Sequence, residues 1–206
     1  MMKNLKMKYV LTTLAILLSS IAFAQETTIK LLDTKYYYES SEFKTYYKRL
    51  VSFNDTTYYV EGHISFDNEG KTIQKLDKFK KKVDYVKIEN TNYTSMLKNY
   101  DKMAFIQFTN AEGNEDKIRN VVARLDKELM IANVASSNYL SFDKGVGIAE
   151  YFLTDADVAF QKIFNVLKEE KMIDDILLGH RVYMDGDDYN IEIFYPLKYE
   201  GTFWGF

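Results

Sequence analysis

Between Thr154 and Met172, Ala156, Ala159, Phe160, Ile163, Phe164 and Leu167 recur at three- and four-residue spacing. That spacing places them on one face of an α-helix, with Asp157, Gln161, Lys162, Asn165, Lys168 and Glu169 on the other. Thr154, three residues before Asp157, reads as a capping box that satisfies free backbone N–H groups at the helix start. A helix this one-sided gains most of its stability from the surface it lies on. Apolar, β-patterned segments flank it on both sides, so the stretch demands a folded body that combines strands and helices.

The neighbouring segments supply candidates for that body. Met103 to Thr109 reads as a buried strand. After a loop through Glu112-Gly113-Asn114, with Asn114 as N-cap, Ile118, Val121, Val122, Leu125 and Leu129 mark a second amphipathic helix. Met130 to Ala135 and Tyr139 to Phe142 read as β, interrupted by Ser136-Ser137-Asn138. Val146 to Leu153 is the next strand, after the turn Asp143-Lys144-Gly145. Arg181 to Met184 and Tyr189 to Tyr195 flank the hairpin signal Asp185-Gly186-Asp187-Asp188. The order predicts an α+β chain: an N-terminal antiparallel β region, then a ferredoxin-like β-α-β-β-α-β domain with an extra C-terminal hairpin strand. Strands 103–109 and 146–153 are apolar at nearly every position, as strands covered on both faces are. The two helices would cover one face and the N-terminal region the other, with the aromatic tail Tyr199 to Phe206 docked on the body.

Residues 26–70 read as antiparallel β. Thr28 to Leu32, Lys35 to Tyr38, Tyr46 to Phe53 and Tyr58 to Phe66 are rich in strand-favouring residues, and Asn54-Asp55-Thr56 and Asp67-Asn68-Glu69-Gly70 are turn chemistry. Ile73, Leu76, Phe79, Val83 and Val86 step by three and four, which predicts a helix with lysines over its remaining surface. Tyr93, Met96, Leu97 and Tyr100 suggest a short helix after it. Asn90-Thr91-Asn92 and Asn99-Tyr100-Asp101 mark a boundary between a β-rich region, 25–98, and the domain at 99–206. The runs Lys35-Tyr36-Tyr37-Tyr38, Tyr46-Tyr47-Lys48-Arg49, Tyr58-Tyr59-Val60-Glu61-Gly62 and Phe66-Asp67-Asn68-Glu69-Gly70-Lys71 resemble the Tyr/Gly hairpin segments of MORN-type secreted bacterial proteins. The resemblance covers about residues 35–71 and implies β-hairpin architecture there.

Residues 1–24 have the form of a signal peptide. Lys3, Lys6 and Lys8 precede an apolar run from Tyr9 to Ile21, and Ala22-Phe23-Ala24 is a small-x-small cleavage site. A periplasmic or secreted protein cleaved after Ala24 is expected, with no transmembrane segment in the mature chain. There is no cysteine, which excludes disulfides, thiolate nucleophiles and Cys-ligated metals. Without its three leader lysines the chain carries 24 basic against 30 acidic residues, a balance that argues against nucleic acid as a partner.

The residues with chemical potential are scattered. His63 and His180 lie in separate β segments without a zinc-binding spacing. Asp185, Asp187 and Asp188 lack the ligand run of a calcium loop. Ser136 and Ser137, like Ser40, Ser41 and Ser95, lack a nucleophile elbow, and Gly145-Val146-Gly147 is no phosphate loop. No catalytic, cofactor-binding or metal-binding residue is assigned, and no cofactor is expected. The lysine run 71–82 could meet an anionic lipid. The paired tyrosines Tyr36, Tyr37, Tyr46, Tyr47, Tyr58 and Tyr59 must point to both faces of their strands, which makes them the candidate binding surface. The reading is an exported, non-enzymatic binding protein whose partner is another protein, with an envelope accessory subunit and an inhibitor- or immunity-type protein both fitting its size and acidity. The alternatives are a small cysteine-free hydrolase and a glycan or anionic-lipid binder.

Overall fold

A computed structural model describes residues 28–39, 42–68, 71–81, 83, 103–183 and 189–203 of the 206-residue chain. Four long strands, β1 (Ile29–Glu39), β2 (Lys44–Phe53), β3 (Thr56–Phe66) and β4 (Thr72–Lys81), form an antiparallel meander. Asn54 and Asp55 both have positive φ, 48° and 58°, the geometry of a two-residue hairpin turn matched to strand twist. The chain then passes through β5 (Met103–Phe108), α1 (Glu115–Ile131), β6 (Ala135–Asp143), β7 (Val146–Leu153) and α2 (Ala156–Glu169). A 3-10 turn, Ile173–Asp175, leads to β8 (Ile176–Tyr183) and β9 (Tyr189–Tyr195). The last strand, β10 (Gly201–Phe203), pairs with β4. The result is two five-stranded antiparallel sheets, ordered β1-β2-β3-β4-β10 and β6-β7-β5-β8-β9.

This arrangement corrects the expected ferredoxin-like domain behind a small β region. The described chain is mostly strand, with two α-helices. Its C-terminal strand leaves the second sheet to close the edge of the first. The helix expected from Ile73 to Val86 is also corrected over its described part, which is β4. The pairing of β3 with β4 shifts register between Glu61 and Gly62, opposite Lys78 and Leu76, leaving Asp77 as an extra residue. A bulge of this kind puts residues three apart on the same face of a strand. Leu76 and Phe79 therefore both pack against the core, and their spacing imitates a helix. The expected domain boundary and the short helix over 93–100 lie outside the described residues, as does the Asp185–Asp188 turn.

Both α-helices form where the apolar spacing places them. α1 buries Ile118, Val121, Val122, Leu125 and Leu129 after Asn114, whose side chain bonds back to the Asn110 carbonyl (3.1 Å). The cap of α2 sits one residue later than the sequence suggests. Asp155 accepts from the Val158 N–H (3.1 Å), while the Thr154 hydroxyl donates to the Asn133 carbonyl (2.9 Å). α2 buries Phe160, Ile163, Phe164 and Leu167. Phe164 meets Phe53 of β2 and Tyr195 of β9 edge-on, with ring centroids 5.9 and 4.6 Å apart, so this helix ties the two sheets together.

Strands β1 to β4 of the first sheet pack on the same side of the second sheet as the helices, while β10 reaches round to the other side. One continuous core holds Tyr36, Tyr47, Val51, Val60 and Ile64 of the first sheet, both helix faces, and Ala104, Ile106, Tyr151, Leu178 and Phe194 of the second. Phe105, Ile148, Leu177, Ile191 and Ile193 point to the opposite side and form a separate cluster with Phe203. The N-terminal strands thus pack beside the helices and not on the far face, where the hydrophobic pattern places them.

Candidate functional site

Where the inner face of the first sheet meets β8 and β9, the core contains charge. Tyr47, Arg49 and Val51 alternate inward on β2, and Arg49 Nη1 lies 2.6 Å from Glu192 Oε1. The Tyr36 hydroxyl donates to the other carboxylate oxygen. His180 Nε2 is 2.9 Å from that oxygen and 2.9 Å from the Tyr36 hydroxyl. Gln74 of β4 completes the seam: its amide donates to the Ile193 carbonyl and accepts from the Ile193 N–H, each at 2.8 Å.

None of Tyr36, Arg49, His180 and Glu192 is more than 2% exposed. Burial alone would raise the Glu192 carboxyl. The opposing Arg49 charge, with donors from His180 and Tyr36, overrides it and holds the group below the usual carboxylate range. Burial pushes the neighbouring Tyr47 phenol far above its usual range. Arg49 Nε has no hydrogen-bond partner among the described residues, a cost set against the ion pair. The cluster is shut off from solvent and links β1 and β2 of the first sheet to β8 and β9 of the second.

The six tyrosines divide between the faces of the first sheet. Tyr36 and Tyr47 are buried, and Tyr58 packs inward on Phe79, with ring centroids 5.4 Å apart. Tyr37, Tyr46 and Tyr59 turn outward. Tyr37, Tyr46 and His63 stand opposite one another on β1, β2 and β3. Their rings form a ladder with spacings of 6.3 and 5.6 Å. Each outward phenol donates to a neighbouring carboxylate: Tyr37 to Glu39 (2.8 Å), Tyr46 to Glu42 (3.2 Å) and Tyr59 to Glu61 (2.8 Å). His63 Nδ1 lies 3.1 Å from Asp77, and Lys48 and Lys78 flank Glu61 at 4.0 and 3.9 Å. The outer face is therefore a half-buried aromatic row with its polar ends fixed by short-range pairs.

His63 and His180 stand in different surroundings, one on the outer face and one in the core. Ser136 and Ser137 are exposed on β6, and no group of three or more potential metal ligands occurs among the described residues. No helix among them is long and apolar enough to cross a membrane. The pattern reading missed Arg49, Gln74 and Glu192. The available signal was alternation: Arg49 stands two residues from Tyr47 and from Val51, at an inward position of a strand. Comparisons with protein-family models, curated proteins and solved structures found no match to this chain.

Proposed function

We propose that the chain is an exported, non-enzymatic binding protein that engages another protein through the outer face of its N-terminal sheet. The observation that carries this reading is the Tyr37–Tyr46–His63 ladder, with Tyr59 beside it. Tyrosines held by hydrogen bonds offer large contact area at little entropic cost, the character of protein-recognition surfaces. The burial of His180 and Glu192 weighs against the hydrolase alternative, because neither is accessible to solvent. The leader-like residues 1–24 support export. Immobilised protein and its Tyr37→Ser/Tyr46→Ser variant, exposed to envelope extract, give the test. The wild type retains a partner that the folded variant loses. An identical set of captured proteins would overturn the assignment of this face.

A further inference from the structure

The lysines of β4 carry chemistry that the tyrosine ladder does not use. Lys75, Lys78 and Lys80 are exposed, and each stands opposite a residue on the outer face of β3: Lys75 opposite His63, Lys78 opposite Glu61 and Lys80 opposite Tyr59. Opposite residues of paired strands share a face, so all three ammonium groups border the tyrosine row. The bulge at Asp77 makes this possible, because residues three apart on a regular strand point to opposite faces. Lys75 extends the Tyr37–Tyr46–His63 ladder by one strand, and Lys78 Nζ lies 5.8 Å from the centre of the Tyr59 ring.

Most charges on this face are already matched. Glu42 is taken by Lys44 and Tyr46, Asp77 by His63, and Glu61 lies between Lys48 and Lys78. The ammonium groups of Lys75 and Lys80 have no ion pair or hydrogen bond among the described residues. A partner seated on the tyrosines is therefore favoured if it brings carboxylates to these two positions and disfavoured if it brings cations. Their opposite numbers His63 and Tyr59 are four residues apart on β3, which separates the two cations by roughly 13 Å along the strand. Glu61 and Asp77 stand between them, so the face alternates in sign and does not match a uniformly anionic surface such as a lipid leaflet. β10 pairs with β4 only from Thr72 to Gln74. Lysines further along deter the addition of another strand, so a partner meets the face of this sheet and not its edge.

We propose that the partner presents an acidic protein surface here, with carboxylates set about 13 Å apart on Lys75 and Lys80 and apolar or aromatic groups between them on the tyrosine row. This rests on the assignment of the outer face to protein binding and gives that partner its chemistry.

The test uses the full chain and two capped, dye-labelled heptapeptides, followed by fluorescence anisotropy at low ionic strength. Each has a central tryptophan between two leucines; one carries two glutamates at each end, the other two lysines. The inner glutamates, four residues apart, match the spacing of the two cations. The acidic peptide binds at least tenfold more tightly than the basic one, and added salt erodes the difference. Carbodiimide coupling, which joins an ammonium to a carboxylate, links the acidic peptide to Lys75 or Lys80. Lys75→Glu/Lys80→Glu reverses the preference. Tyr37→Ser/Tyr46→Ser weakens both peptides and leaves their ratio intact. Affinities that ignore the tyrosines while the ratio follows the lysines would overturn the tyrosine-face reading alone. Equal affinity for both peptides, an unchanged ratio in a folded Lys75→Glu/Lys80→Glu variant, or no binding at millimolar peptide would overturn the proposal. So would capture of the chain by phosphatidylglycerol vesicles that is lost in the same variant, which would assign the lysines to a lipid surface.

Discussion

Arg49 of β2 and Glu192 of β9, 143 positions apart in the chain, meet at 2.6 Å with neither side chain more than 1% exposed. Taking both charges out of water is expensive, and the pair holds because each neutralises the other in place. Arg49→Met should therefore cost about 3–5 kcal/mol, because it strands a buried carboxylate. Arg49→Met/Glu192→Leu, which removes both charges, should recover much of that loss. Urea midpoints of the two variants check this. A double variant no more stable than the single one would mean that the charge itself is not the source of the cost.

The same carboxyl sets the response to acid. Its pKa is lower in the folded protein than in the unfolded chain, so the unfolded chain takes up protons first as pH falls. The contribution of Glu192 is therefore complete above the unfolded value of about 4.3 and is lost as pH falls through the folded value. Stability measured from pH 7 down to pH 3 should decline more steeply in the wild type than in Glu192→Gln. Parallel curves would assign the acid sensitivity to other carboxyls.

Phe164 touches Phe53 and Tyr195, rings from both sheets, and is 1% exposed. Phe164→Ala should cost about 3–5 kcal/mol through lost burial and the cavity left behind. Lys168, one turn later on the exposed side of α2, should tolerate alanine within roughly 0.5 kcal/mol. Chemical denaturation of the two variants tests the orientation of the helix; equal midpoints would refute it.

Gly62 lies where β3 meets the bulge of β4. A Cβ there would fall 2.2 Å from the Lys75 carbonyl oxygen and 2.5 Å from the Tyr47 hydroxyl. The neighbouring backbone cannot yield as a flexible side chain can, so Gly62→Ala should destabilise by at least about 1–3 kcal/mol. Gly113→Ala, where a Cβ meets nothing within 4 Å, carries only the strain of its φ of 75°. A thermal midpoint for Gly62→Ala at or above that of Gly113→Ala would contradict the close approach.

Local chemistry was legible in the sequence. The apolar stripes of α1 and α2 fixed their buried faces, because helical periodicity is a property of neighbouring residues. Asn54-Asp55 marked a hairpin for the same reason. Register and partnership were not local. The bulge at Asp77 made β4 look helical, since an extra residue restores same-face spacing at three. Nothing near Gly201 to Phe203 states that this strand joins β4, because pairing edges are chosen by the folded chain. The pattern also made six tyrosines equivalent, while the packing of one sheet beside α2 sent Tyr36 and Tyr47 inward and left Tyr37 and Tyr46 outside. Arg49, His180 and Glu192 read as unrelated polar residues until tertiary structure excluded water around them. Sequence alone determined which segments could hide apolar surface; only the meeting of two sheets decided which charges had to be buried with it, because a charge needs a partner there only once solvent is gone.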